Sequence, residues 1–402
     1  MTPKNPKITR RTLLTAAAAT PGALALSRFA VAAPAANLAQ KAAGTNDFSF
    51  VLLGDLHFDR LAHHDMEWLM REKPNDLRQI QNYSRITAEM HPKLFAEVRE
   101  TVEATRKNGG AMPFVLHAGD FVEGLCGTPA LARIHCQEAV AFTREAKLGA
   151  PFLFCKGNHD ITGPGATEAY QEIFLPFLGE QRCQATQNAS LADPSAHFSF
   201  EYGESLFAFF DAYEDASLEW LETTLAATKA RHIFVLIHPP VVPYGARATW
   251  HLYARPRQAV QRERLLNLLG KHNALVLGGH IHKYNLMSRR TEAGRFVQLA
   301  VNSVIPKPVE TPSKILEGAA SYTPEQISVE PNFSPDTATE RRAALTAEAP
   351  FVEHFEYADA PGYAVISVRG ERVEAQIFSG LGKNLWKTRD LTALLRGAAS
   401  KI

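Results

Sequence analysis

Five short apolar runs, each ending in a cluster of carboxylate, amide or imidazole residues, constrain this chain more than any other feature. Residues 48–54 (FSFVLLG) lead into Asp55-Leu56-His57, and 113–116 into His117-Ala118-Gly119-Asp120. Residues 151–155 precede Gly157-Asn158-His159-Asp160, 233–237 (IFVLI) end at His238, and 274–277 end at Gly278-Gly279-His280. Apolar runs this short read as buried strands. Helical spacing separates them, at 83–107, 130–147, 217–228 and 258–269, with Ser217 as a cap for the third of these. The alternation predicts an α/β fold. In such sheets ligand groups gather at the carboxyl ends of strands, where each cluster falls.

Beyond these runs, 198–202 and 205–211 read as a hairpin turning at Gly203-Glu204, and 295–304, 363–368 and 372–378 as late strands. From 306 to 361 the composition shifts to Pro, Thr, Glu and Ala. That segment reads as an irregular insert or cap with some helix around 339–347. The expected layout is a main domain at 48–304, the insert at 305–361, and strands completing the domain at 362–402. The N-terminus is a separate object. Lys4, Lys7, Arg10 and Arg11 precede an Ala/Leu-rich stretch at 12–26, and Ala30-Val31-Ala32 fits a small-x-small cleavage site. The run Thr9-Arg10-Arg11-Thr12-Leu13-Leu14 resembles a twin-arginine export signal. On that reading residues 1–32 engage the twin-arginine export machinery, and the mature chain is periplasmic or secreted. The stretch is too short and polar for a stable span, which needs about 20 apolar residues.

Charge weighs against one class of partner. Lys+Arg total 43 against Asp+Glu 42, so no basic excess points to nucleic acid. Cys126, Cys136, Cys155 and Cys183 match no zinc-site spacing. An exported chain could oxidise them in any of three pairings, but packing thiols are the favoured reading, Cys155 above all, within its apolar run.

Singly, each polar cluster is weak, because a lone buried histidine is more often structural than a ligand. Together, five strand ends present D-x-H, G-D, G-N-H-D, H and G-H-x-H in order. Carboxylate and imidazole donors suit divalent or trivalent Mn, Fe and Zn. Seven ligands shared over two ions, one of them bridging, leave positions open for water and substrate, as a catalytic site requires.

The series resembles the calcineurin-like metallophosphoesterase superfamily, written D-x-H, G-D-x-x-[DE], G-N-H-[DE], H and G-H-x-H. It reads here Asp55-Leu56-His57, Gly119-Asp120-Phe121-Val122-Glu123, Gly157-Asn158-His159-Asp160, His238 and Gly279-His280-Ile281-His282, spanning 48 to about 302. The resemblance implies a two-sheet sandwich flanked by helices, in four α-β-β-α layers. It implies that Asp55, His57 and His282 hold one metal, that Asn158, His238 and His280 hold another, and that Asp120 bridges them. His159, with Asn158, would contact the substrate phosphate and donate a hydrogen bond or proton to the leaving oxygen. Asp160 would orient His159 or a neighbour, and Glu123 would support the ligands. The implied reaction is hydrolysis of a small phosphomonoester or phosphodiester by in-line attack of a hydroxide held between the ions. A nuclease is an alternative that the near-neutral charge opposes. Another is a silent metal-binding protein of the same fold, which would be expected to lose a ligand or His159. Two departures narrow the family. Glu123 stands where purple acid phosphatases carry a metal-binding Tyr, and Gly124-Leu125 where Ser/Thr protein phosphatases have an Arg.

His63 and His64 read as a solvated loop rather than a substrate mouth. The loop at 243–256, with Tyr244, Arg247, Trp250, His251, Tyr253 and Arg255, mixes aromatic and basic groups. Such groups can stack on a base and pair with phosphate, or simply pack.

Overall fold

A computed structural model describes residues 41–42, 45–189, 195–331 and 336–397. The expected export signal at 1–32 lies outside the described residues. Two sheets face each other. The smaller has the order Leu385–Asp390, Arg372–Ser379, Gly362–Arg369, Phe48–Leu53, Val115–His117, Phe152–Phe154. The larger runs Lys41–Ala42, Phe198–Tyr202, Ser205–Phe209, His232–Leu236, Leu275–Gly278, Gly294–Ala300, Tyr284–Thr291, Val352–Ala358, Ile315–Glu317.

The apolar runs are continuous because both faces of their strands are covered. Phe48, Phe50 and Leu52 enter the core between the sheets, while Val51 and Leu53 face the outer helices. Between the sheets, Phe207 and Phe234 stack at 4.8 Å and 6°. Phe50 meets both edge-on at 5.5 and 5.4 Å. Each such ring contributes about 1.5–3 kcal/mol by leaving water. Helices His91–Lys107, Pro129–Glu145 and Leu175–Thr186 cover the outside of the smaller sheet, through residues such as Leu94, Val98, Ala139 and Phe177. Helices Ser217–Ala227, Ala259–Lys271 and Ala338–Glu348 cover the larger one, through Leu221, Leu269 and Leu345. These are the four layers of the expected α-β-β-α class.

Local expectations differ from the structure at four places. The helix expected at 83–107 is two, Leu77–Glu89 and His91–Lys107. Pro92 ends the continuity because it lacks an N–H and crowds the preceding turn. Ser217 is a buried first-turn residue rather than a cap, and Ala216 occupies the cap position. Strand Tyr284–Thr291 was not expected, because its buried Asn285, Ser288 and Arg289 mask its apolar character. Hydrogen bonds replace hydration for these groups: Asn285 Nδ2 donates to Glu356 O at 2.8 Å, and Arg289 Nε to Glu348 at 2.7 Å. Finally, the segment at 306–361 is not irregular throughout. It supplies strands Ile315–Glu317 and Val352–Ala358 to the larger sheet, and a helix whose N-terminus carries a Thr337/Glu340 capping box. All four cysteines are free, and three are buried. Among the described residues no helix is long and apolar enough to cross a membrane.

Candidate metal centre

The strands Phe48–Leu53, Val115–His117 and Phe152–Phe154 run parallel in one sheet, and His232–Leu236 and Leu275–Gly278 in the other. Their carboxyl ends converge. The turn after the first strand lies along the turn after the second, with Asp55 N donating to Gly119 O at 3.2 Å and His57 N to Asp120 O at 3.0 Å. Across the sheets, Gly54 N donates to Ser303 Oγ at 3.1 Å, and His280 N to Asp55 Oδ1 at 2.7 Å.

The backbone is strained where it aims these side chains. Asp55, His57, Asp120, His280 and His282 have φ of 51°, 47°, 55°, 74° and 54°. Non-glycine residues rarely adopt this left-handed region, and holding one there costs on the order of 1–3 kcal/mol. Glycine lets the loops close. A Cβ on Gly157 would lie 2.1 Å from Asp120 N and Oδ1, and one on Gly279 would lie 2.6 Å from Asp55 Oδ2.

The side chains form three groups, of which two share Asp120 and the third is His57, Glu123 and His159. Of the two that share it, Asp55, His57, Asp120 and His282 make one and Asp120, His238 and His280 the other, with the ligand atoms of each group within 4.8 Å of one another. Asp120 Oδ2 lies 3.0 Å from His238 Nε2 and 3.7 Å from His57 Nε2. His57 Nε2 and His282 Nε2 are 2.9 Å apart, and His238 Nε2 and His280 Nδ1 3.2 Å. The outward nitrogens are tied down. His57 Nδ1 donates to Glu123 Oε2 at 2.6 Å, and His238 Nδ1 to Ala118 O at 2.8 Å. Such partners fix ring orientation and tautomer.

Two buried oxygens at this point lack a hydrogen-bond partner, Asp55 Oδ2 and Asn158 Oδ1. An orphaned buried acceptor is costly unless a cation serves it. The electrostatics agree. Burial holds His57, His280 and His282 well below the usual imidazole range, which keeps them neutral, the form that binds metal. Burial also raises Asp55, and pushes Glu123 up to about 7. For Asp120 burial pulls upward, but the positive charges of His238 and His159 outweigh it and hold the carboxyl low. Clustered carboxylates, the neutral imidazoles of His57, His280 and His282, and orphaned oxygens together fit a metal centre.

His159 stands at the edge of the cluster, its ring 4.7 Å from that of His57. Its N–H donates to Asp120 Oδ1 at 2.8 Å and its Nδ1 to Glu123 O at 2.8 Å. Burial alone would lower its pKa, but the charges of Glu123 and Asp120 hold it up at about 9. Of the two partners expected for Asp160, His159 or a neighbour, it takes neighbours. It does not bond the His159 ring. It is buried and accepts from Gly157 N at 2.8 Å and Val122 N at 3.1 Å, so it joins two ligand loops. The 3₁₀ turn His159–Ile161 rotates consecutive side chains apart and sends Asp160 inward.

His63 and His64 are also not a solvated loop. Both are buried, His64 on Asp59 at 2.6 Å and His63 on His135 at 2.9 Å. In the loop at 243–256, Tyr244 is fully buried, and its hydroxyl donates to Gly279 O and Lys283 O, each at 3.3 Å. His251 packs inside with its Nδ1 on Ala248 O at 2.7 Å. Trp250 approaches the ring of His280, with centroids 5.7 Å apart. One neighbour of the centre was missed. Tyr83 stacks on His57 at 4.5 Å and 19°, its hydroxyl 3.4 Å from His282 Nδ1. In the sequence it looks like any apolar-face position of a helix.

Two facing mixed sheets, with such a cluster at the converging strand ends, define the class. The chain belongs to the calcineurin-like phosphoesterase family, whose model matches residues 48–284. Among curated relatives, the 3',5'-cyclic adenosine monophosphate phosphodiesterase CpdA of Escherichia coli (strain K12) is 28% identical over 187 residues, 45% of this chain and 58% of that protein. The chain thus matches little more than half the length of that relative. Solved structures to which the chain shows some similarity include the purple acid phosphatase PPD1 of yellow lupin (Lupinus luteus), at 12% identity and TM-score 0.46, covering 86% of this chain and 54% of that one. PhoD is similar at 12% identity and TM-score 0.46, covering 88% and 73%.

Proposed function

We propose that the chain is a hydrolase of small phosphomonoesters or phosphodiesters that works with two metal ions. The observation that carries this reading is the position of Asp120, whose Oδ2 is shared by both ligand groups. Asp55, His57 and His282 would hold one ion, and Asn158, His238 and His280 the other. Bound there, the ions would polarise the phosphoryl oxygens and acidify a water. His159 is fixed through Nδ1, and the charges of Glu123 and Asp120 favour its protonated form, from which the other ring nitrogen would donate to the leaving oxygen. Glu123 holds His57 and His159 in place. Asp160 keeps the loops of Gly157 and Val122 in register. The activity for which that relative is named makes a cyclic nucleotide diester one substrate to assay. Residues 1–32 would direct export by the twin-arginine route, placing the enzyme in the periplasm or outside the cell.

Metal analysis, combined with hydrolysis of a chromogenic monoester and diester in Mn, Fe or Zn, tests the reading. Tight binding of two metals with no turnover of any ester, cyclic nucleotides included, would sink it. Export is tested by a reporter fused after residue 32, with Arg10 and Arg11 replaced by Lys. Unchanged translocation would exclude the twin-arginine route.

A further inference from the structure

The oxygens of a bound phosphate ester that face away from the metals need donors of their own, and a guanidinium suits phosphate because its planar donors match the oxygens. Arg247 offers such a group. Its guanidinium lies over the Trp250 ring at 4.4 Å, and Trp250 in turn packs 5.7 Å from the ring of His280. Through that stack the guanidinium stands on the side of His280, with 42% of its side chain accessible.

Its orientation is fixed. Nε donates to both carboxylate oxygens of Glu330, at 3.1 and 3.0 Å. Glu330 is itself anchored, with its N–H on Ala246 O at 3.0 Å and Oε2 3.7 Å from the fully buried Arg341. Tyr322 braces the start of the same loop, donating to Pro243 O at 2.5 Å. The 322–330 segment thus sets the plane of a cation beside the centre. A solvated surface arginine would not need this framework.

We infer that Arg247, stacked on Trp250 and oriented by Glu330, receives the phosphoryl oxygens of the substrate, with Glu330 as a positioning residue. The inference rests on the hydrolase reading, but its test does not require turnover. Inorganic phosphate is titrated into the metal-loaded protein by calorimetry, beside metal content and melting temperature. Arg247→Met keeps an apolar stem on Trp250 and removes the charge. It should weaken phosphate binding by about ten- to a hundredfold, as loss of a charged hydrogen bond does, with metals and melting retained. Arg247→Lys should recover part of the loss. Glu330→Ala should lower phosphate affinity by a smaller factor, and Glu330→Gln, which keeps an acceptor oxygen, should restore some of it. Unchanged phosphate affinity in Arg247→Met overturns the inference. So does loss of metal in that variant, because the stack would then only support His280. A wild-type protein that binds phosphate but hydrolyses no ester would defeat the hydrolase reading, and the phosphate titrations would still decide this one.

Discussion

His57 Nδ1 donates to Glu123 Oε2 at 2.6 Å, and both side chains are fully buried. The bond commits the other ring nitrogen of His57 to the centre. Glu123→Gln should therefore weaken metal affinity about 10–100-fold without unfolding the chain. Metal retention against a graded chelator measures this. Retention equal to wild type would reduce Glu123 to a packing role.

His159 is tied to the centre through its backbone and Nδ1 but lies outside the two groups that share Asp120. His159→Ala should keep the metals and lower kcat about 10²–10⁴-fold, the range for a general acid. Loss of both metals would contradict its assigned role.

Gly157 admits the tightest approach at the centre, since a Cβ there would lie 2.1 Å from Asp120 N and Oδ1. Both contacts are to atoms fixed by the loop, so the clash is relieved only by moving Asp120. Gly157→Ala should reduce metal content and activity together while far-ultraviolet circular dichroism stays near wild type. Full metal content with normal turnover would show the loop to be more compliant than the structure implies.

Removing the metals should lower the melting temperature. The centre buries Asp55, Asp120 and Glu123 with two orphaned oxygens, and a ligand that binds only the folded chain stabilises it by mass action. Calorimetry before and after chelation checks this, with Mn, Fe or Zn restoring the loss. A melting temperature indifferent to metal would mean the charges are compensated within the protein.

Acid should destabilise the fold through histidines outside the candidate ligand set. Burial drives both His135 and His251 down to about 3 from an ordinary 6.5. Between those values the unfolded chain binds more protons than the folded one, so stability is full above about pH 6.5 and falls as pH drops toward 3. His135→Gln and His251→Gln should each shrink the stability lost between pH 7 and pH 5, read from urea midpoints. Unchanged pH dependence in both would assign the acid loss to carboxylates instead.

The strands that end in ligands were legible in the sequence because burial on both faces leaves an uninterrupted apolar run, as in residues 48–53. Strand Tyr284–Thr291 was not, because its buried Asn285 and Arg289 are satisfied by Glu356 and Glu348, which are 71 and 59 residues away. Hydropathy reports transfer from water, not partners found elsewhere in the chain. The same limit hid His63 and His64, whose burial depends on His135 and Asp59. It also hid Tyr83, which meets His57 only after two helices fold back on the sheet.

By itself the sequence picked out the five apolar strands and, as candidates, Asp55, His57, Asp120, Asn158, His159, His238, His280 and His282, because spacing after buried strands is a local property. Tertiary structure decided the rest. It placed Asp120 between two groups, turned Asp160 away from His159, and set Arg247 on Trp250 beside His280. Those outcomes depend on left-handed turns at five ligand positions, on glycines that admit close contact, and on partners distant in the chain. Spacing along a sequence carries no information about which strand ends will meet, and here the convergence of two sheets supplies it.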